Sequence, residues 1–344
     1  MFENLPTAWN VVLFLVAALA IWFSAVRLTR HADAIATRTG LGQEMVGLLL
    51  LGGVTSLPEL AVATTATLQE APELTIGNLL GAAAINVVLL ALADAAIRHR
   101  ALTSVQGSPK VILIGVLGVV TMAVVVAPTL TGDTLVLGIG GWTWVLLGVY
   151  GGAVWVMAHS HAERVWRPMG DALPGRGGEP PPAADAGDSM RRVVAGAAAA
   201  AAVILAAGYV LARTGDAIAQ QTGLGNSFFG VVVLAMATTL PEASTVVAAV
   251  RLQRYEMAIS DVLGTNLFNV TIIALVDALH PGGPVLVEAG RFASFAALLA
   301  LVLTCLFLIG LVERRDRTIR RLGIDSVIAL FVYGAGLAVL YQLR

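Results

Sequence analysis

This chain is short of charge and of cysteine. Of its 344 residues 12% are Asp, Glu, Lys or Arg and 58% are hydrophobic, a balance far outside that of a soluble domain. The single cysteine, Cys305, lies in an apolar run; it excludes an intrachain disulfide and reads as a packing residue. There is no Walker motif or other nucleotide cradle and no paired soluble domain, so nothing couples the chain to ATP. The net charge of −1 carries no information about partners, because the charges lie in connecting segments. The basic run Arg314 to Arg321 reads as topology and anionic-lipid contact, not as a nucleic-acid patch. His159, His161 and Glu163 have no fourth ligand nearby and read as solvated juxtamembrane residues, not a metal site.

What the chain has instead is apolar length. Ten segments are long enough to cross a bilayer, which takes about 20 residues of helix. They lie near 8–26, 41–68, 73–95, 110–128, 135–157, 192–212, 224–250, 256–279, 290–312 and 324–343. The first has Glu3 ahead of it and Arg27 and Arg30 behind it, so it reads as a retained span and not a cleaved signal. Ten spans place 18 of the 21 basic residues on one side and three, Arg213, Arg291 and Arg344, on the other. That asymmetry marks the cytoplasmic side and predicts a multi-pass cell-membrane protein with both termini extracytoplasmic. No obligatory protein partner is expected beyond the bilayer.

The chain also repeats itself. Residues 33–95 align with 216–278 without a gap: Asp33-Ala34-Ile35-Ala36 recurs as Asp216-Ala217-Ile218-Ala219, Gly47 as Gly230, Asn86 as Asn269 and Asp94 as Asp277. Five spans per half reverse the entry direction of the second half. The expected fold is therefore all-α and integral to the membrane, ten transmembrane helices in two inverted-topology five-helix repeats, 1–157 and 192–344, joined by a short cytoplasmic linker, 158–191, rich in Pro, Gly and Asp. Packing alone accounts for shared glycines but not for shared buried carboxylates.

Those carboxylates sit in matching places. Gly52-Gly53-Val54-Thr55-Ser56-Leu57-Pro58-Glu59 in span 2 pairs with Ala235-Met236-Ala237-Thr238-Thr239-Leu240-Pro241-Glu242 in span 7. Each proline is expected to break its helix over about 52–55 and 235–238, freeing carbonyls beside the hydroxyls of Thr55, Ser56, Thr238 and Thr239. A carboxylate in hydrocarbon costs roughly 2.5–3.5 kcal/mol on insertion scales, so it is kept mainly where it faces a cavity and acts. Two carboxylates with freed carbonyls and hydroxyls approach the six to eight hard oxygens that calcium takes. The plainer alternative is that the prolines only kink the helices and the hydroxyls re-satisfy the backbone.

The following helix of each half forms the other wall. Asn78, Ala82 and Asn86 share one face, as do Asp261, Thr265 and Asn269. Asn86 and Asn269 fall near mid-membrane. Asp261 is expected in a vestibule near one surface, and Asp94 and Asp277 as solvated caps at span ends. The first and sixth spans carry no comparable buried charge.

These residues resemble the two alpha-repeats of the sodium/calcium exchanger family, within the calcium:cation antiporter superfamily, in its prokaryotic form. The likeness covers the ten spans and the motifs at 40–86 and 223–269. It implies that Glu59 and Glu242 are shared calcium and sodium ligands, that Gly52, Thr55, Ser56, Ala235, Thr238 and Thr239 ligate by backbone or hydroxyl, and that Asn86, Thr265 and Asn269 line the site. It implies Ca2+ and Na+ as transported ions, no cofactor and no enzymatic activity. Three departures stand out. Gly81-Ala82-Ala83 replaces the usual Gly-Ser-Asn, removing a hydroxyl; Asn269 stands where many members have an aspartate; and the short linker holds no calcium-sensing domain. A proton-coupled antiporter, or one moving K+ or Mn2+, would use the same scaffold, although proton-type relatives show Gly-Asn-Ala-x-Glu where this chain has Leu-Pro-Glu. A cation channel or an intramembrane hydrolase are remoter alternatives, the latter lacking any His cluster or Ser/His pair at the glutamates' depth.

Overall fold

The computed structural model describes residues 5–40, 43–68, 72–94, 102–105, 108–159, 189–222, 235–288, 290–314 and 322–343, with Phe2, Ile97 and 318–319. Among the described residues the architecture is all-helical apart from two very short hairpins. Among the described residues eight helices are long and apolar enough to cross a membrane, or nine if one pair bent by 41° counts as a single span. The expected span 224–250 starts outside the described residues, as do Gly223, Gly225 and Gly230 of its motif.

Helix α1 (Thr7–Thr39) runs 33 residues and ends at Gly40, whose φ of 70° suits a residue without Cβ. One face, with Trp9, Leu15, Leu19 and Phe23, is exposed and apolar, as a lipid-facing surface must be. The opposite face, with Ala25, Leu28 and Ala32, packs along Ala197, Ala200 and Ile204 of α9 (Met190–Thr222). Helix α1 therefore continues well past the expected span end at 26. Its extension carries a buried charge, Asp33, where none is expected from the sequence.

The next span is in pieces: α2 (Gln43–Val46), a π turn over Gly47–Leu51, α3 (Gly52–Thr55), then α4 (Leu57–Leu68). In the second half α10 (Ala235–Thr238) and α11 (Leu240–Arg251) repeat the last two pieces. Residues 52–55 and 235–238 are thus helical, contrary to the expected disruption. The breaks fall one residue later, at Ser56 (ψ 1°) and Thr239 (ψ 3°). Each proline then occupies the opening turn of a new helix, where its missing N–H costs no hydrogen bond.

Helices α5 (Pro72–Asp94) and α12 (Tyr255–Leu279) form the buried centre. Leu80, Val87 and Leu90 of α5 meet Val262, Leu267 and Ile273 of α12 in one core. Val111 and Ile114 of α7 (Pro109–Thr131) and Ala296, Ala300 and Leu303 of α14 (Gly290–Glu313) complete it. The broken span lies against α12 with almost no side chain between. A Cβ at Gly47 would sit 2.7 Å from the Met257 carbonyl oxygen, one at Gly52 2.8 Å from Thr265 N, and one at Gly264 2.7 Å from Leu48 Cα. Small residues permit this backbone approach, as they do generally between membrane helices.

Residues 135–140, expected to open the fifth span, instead form a hairpin of β1 (Leu135–Val136) and β2 (Ile139–Gly140) before α8 (Gly141–His159). Leu137 and Gly138 turn it with φ of 53° and 91°, values that close a tight hairpin and cannot continue a helix. The same element, β3 (Thr318–Ile319) and β4 (Leu322–Gly323), precedes α15 (Ile324–Gln342). The short helices α6 (Leu102–Val105) and α13 (Val285–Glu288) also correspond. Most pairs of elements begin 183 positions apart: 7 and 190, 72 and 255, 135 and 318, 141 and 324. Residues 160–188, most of the expected linker, with His161 and Glu163, lie outside the described residues.

Asp94 and Asp277 join the halves. Asp277 Oδ1 accepts Val285 N at 2.8 Å, and its Oδ2 accepts Gly140 N and Thr143 Oγ1, both at 2.7 Å. Asp94 accepts Leu102 N, Gly323 N and, at 2.9 Å, Ser326 Oγ. These are the same positions in exchanged halves. Both carboxylates are caps, yet they are buried and not solvated, because each is covered by a hairpin that the sequence does not reveal.

Candidate cation site

The two helix breaks meet α5 and α12 at the centre of the bundle, and every residue singled out there is buried. Glu59, Glu242, Thr55, Ser56, Asn86 and Thr265 have no exposed surface, and Thr238, Thr239, Ala235 and Asn269 almost none. Each glutamate is the third residue of a new helix, one turn beyond its break. The halves exchange partners: Thr238 lies beside Glu59, and Thr55 beside Glu242. Both hydroxyls are turned to backbone, however, Thr55 Oγ1 donating to Leu51 O at 3.0 Å and Thr238 Oγ1 to Ala235 O at 3.3 Å. All four glutamate oxygens are left without a donor. Asn86 Oδ1 and Asn269 Oδ1 likewise have no donor, and Asn269 Nδ2 has no acceptor. Buried carboxylates and amides are normally satisfied, so such a concentration of orphans is a demand for cations or water.

The carbonyls at the breaks are occupied. Gly52 O accepts Ser56 N at 3.3 Å and Ser56 Oγ at 2.8 Å, and Ala235 O accepts Thr239 N at 3.0 Å and the Thr238 hydroxyl. Thr55 Oγ1 also lies 3.3 Å from Thr265 Oγ1, bringing a hydroxyl of each half together. On the other side the counterpart of Thr265 is Ala82, which has no hydroxyl to offer Thr238 and packs with Ala235 and Ile85. The site is therefore lopsided, with a hydroxyl pair at one pole and a hydroxyl facing a methyl-lined wall at the other.

Two residues enter that the sequence does not announce, Asn266 and Thr245, and a third, Asp261, lies deeper than expected. Asn266 receives the Asn86 amide at 3.0 Å and donates to Ala83 O at 3.1 Å, tying α12 to α5. Thr245, one turn along α11 from Glu242, donates to Asp261 Oδ2. Asp261 is fully buried and not in a vestibule, because the Gly47–Gly52 segment lies directly on its helix, with a Gly52 Cβ only 3.3 Å from Asp261 O. The charges of Glu59 and Asp261 both bear on Glu242. Among the described residues no three His, Cys, Asp or Glu side chains converge as a metal cluster. An ion at the centre would thus draw on hydroxyl, amide and carbonyl oxygens besides the glutamates.

A bundle of eight or nine long apolar helices among the described residues, with buried carboxylates at its centre, defines a multi-pass membrane protein. The family described as "Sodium/calcium exchanger protein" matches residues 9–158 and 192–342. The chain belongs to this family and is a cation antiporter. It is 27% identical over 306 residues, 87% of this chain and 90% of the relative, to the "Putative antiporter CaxA" of Alkalimonas amylolytica. It is 25% identical over 279 residues, 79% of this chain and 80% of the relative, to the inner membrane protein YrbG of Escherichia coli K12. Its fold matches the sodium-calcium exchanger NCX_Mj soaked with 2.5 mM Na+ and 0.1 mM Sr2+, with a TM-score of 0.71 at 15% identity, covering 97% of this chain and 99% of that one. The same exchanger soaked with zero Na+ and Ca2+ matches with a TM-score of 0.69 at 16% identity, covering 96% and 98%.

Proposed function

We propose that this chain exchanges Ca2+ for Na+ by alternating access at one site built on Glu59 and Glu242. The observation that carries this reading is the set of four glutamate oxygens, all buried and none with a protein donor. Two carboxylates balance one divalent or two monovalent ions, so the ions compete for the same oxygens and their fluxes are coupled. Thr55, Ser56, Thr238, Thr239, Thr265, Asn86 and Asn269, with the backbone at Gly52 and Ala235, supply the remaining ligands as hydroxyls and carbonyls turn inward. No cofactor takes part.

The reading includes an arrangement: ten spans in two inverted halves, 1–157 and 192–344, both termini extracytoplasmic, in the cell membrane. Equal spacing of the elements supports the duplication, and the basic-residue asymmetry supports the orientation. Helices α1 and α9, packed along each other and corresponding in the two halves, are the moving pair.

A proton-coupled exchange is the second reading. It is favoured by Ala82, which removes a hydroxyl, and by Asn269, which leaves two central carboxylates. Sodium-loaded proteoliposomes diluted into sodium-free buffer with radioactive calcium, beside a pH-gradient arm, separate the two. Uptake that follows sodium and ignores pH supports the first reading. Uptake that follows only pH replaces it with the second, and no uptake in either arm removes both.

A further inference from the structure

Glu242 does not end the polar path on its side of the molecule. One turn along α11 the Thr245 hydroxyl bridges the Glu242 backbone carbonyl, at 3.0 Å, and Asp261 Oδ2. Asp261 Oδ1 has no partner, and neither do the two carboxylate oxygens of Glu242 whose charge bears on it. Among the described residues no lysine or arginine pairs with either group; the buried Arg254 is joined to Asp33. Two fully buried carboxylates thus neighbour one another, three oxygens between them lacking any donor.

The other half has nothing equivalent. At the matching positions, 183 residues earlier, stand Asn78 in place of Asp261 and Val62 in place of Thr245. Asn78 is just as buried, so an amide satisfies the packing at this point of the fold. A carboxylate there adds charge that the fold does not need.

We propose that Asp261, Thr245 and the adjoining edge of Glu242 form a second cation subsite, on the Arg254 side of the central pair, that takes a monovalent hard cation of sodium's kind. This rests on the exchange reading above and extends it. A divalent ion needs six to eight oxygens, and this pocket offers fewer; a monovalent ion is neutralised by the single additional carboxylate. With Asp261 counted, the carboxylates on the broken helices and α12 that are fully buried with an oxygen lacking a donor number three, although the central position 269 holds an amide. The charge absent at one turn of α12 is present two turns away. The full site then holds one more monovalent ion than Glu59 and Glu242 alone accommodate, and that ion binds to one side of the calcium position without displacing its ligands.

The experiment is thermal stabilisation of the purified full-length chain in detergent, titrated with NaCl against choline chloride and, separately, with CaCl2. Wild type, Asp261→Asn and Thr245→Val are compared; both substitutions install what the first half already carries. The sodium midpoint is expected to rise roughly tenfold in Asp261→Asn, the loss of one charge-assisted contact, with a shallower Hill slope and an almost unmoved calcium midpoint. Thr245→Val should move the sodium midpoint the same way by less, which keeps a readout if Asp261→Asn fails to fold. Sodium midpoints and slopes identical in wild type and both variants would overturn the subsite while leaving the exchange reading intact. A wild type stabilised by neither ion would overturn both.

Discussion

Arg254 reaches across the bundle to Asp33, its Nε 2.5 Å from Oδ1 and its Nη2 donating to Oδ2 at 3.1 Å, with both side chains buried. The pair fastens the far end of α1 to the turn between α11 and α12. Position 71, which matches Arg254 in the other half, is an alanine, which cannot make this ion pair.

Removing one member of a buried pair strands the other charge. Asp33→Asn or Arg254→Gln is therefore expected to destabilise the protein by about 3–5 kcal/mol, whereas an apolar double replacement of similar volume should recover most of that. Thermal unfolding in detergent checks both; equal melting temperatures for wild type and the single variants would show that the pair contributes nothing.

Glu59→Gln and Glu242→Gln each remove a charge but keep the shape. Either change is expected to abolish calcium uptake in proteoliposomes, because one remaining carboxylate cannot balance a divalent ion in a low-dielectric site. Undiminished calcium flux in either variant would contradict the two-glutamate site.

Ala82→Ser restores a hydroxyl at the methyl-lined pole, and Asn269→Asp adds a central carboxylate. Both should lower the sodium concentration for half-maximal calcium exchange. The aspartate is the larger effect, on the order of tenfold for about 1.4 kcal/mol of added binding. A higher sodium requirement in both variants would show that these positions face away from the ion path.

Gly264→Ala puts a Cβ 2.7 Å from Leu48 Cα, a backbone atom that cannot swing aside. A loss of roughly 1–3 kcal/mol is expected. Gly148, in α8, serves as the control: a Cβ added there would meet nothing within 4 Å, and Gly148→Ala should be neutral or stabilising. Melting temperatures of the two variants in detergent make the comparison.

That Glu59 and Glu242 lie buried beside helix boundaries was legible, because a carboxylate in an apolar run has to be enclosed by the fold and the Leu-Pro before each marks a boundary, even though the turn itself falls one residue later than the proline rule suggests. The hairpins were not legible. Leu135-Val136-Leu137-Gly138-Ile139 is as apolar as any span, and only the backbone shows φ positive at two successive residues. The roles of Asn266, Thr245 and Asp261 were hidden for a different reason. A polar residue's burial is set by what packs over it: for Asn266 that is Asn86, 180 positions away, and for Asp261 the glycine face of the broken span. The π turn at Gly47–Leu51 has no signature in its Gly-Leu-Leu-Leu-Leu sequence.

The exchange of caps by Asp94 and Asp277 has a consequence for how such a chain assembles. Each half brings a carboxylate whose donors at 140 and 143, or 323 and 326, belong to the other, so a half on its own would leave a buried aspartate facing no hairpin and a hairpin facing no aspartate. Two separately made halves should complement each other when co-expressed. A polypeptide carrying only one half would have to find a second copy of itself to close both contacts, so the interlock is the kind of bond that two identical subunits would form before a linker ever joined them.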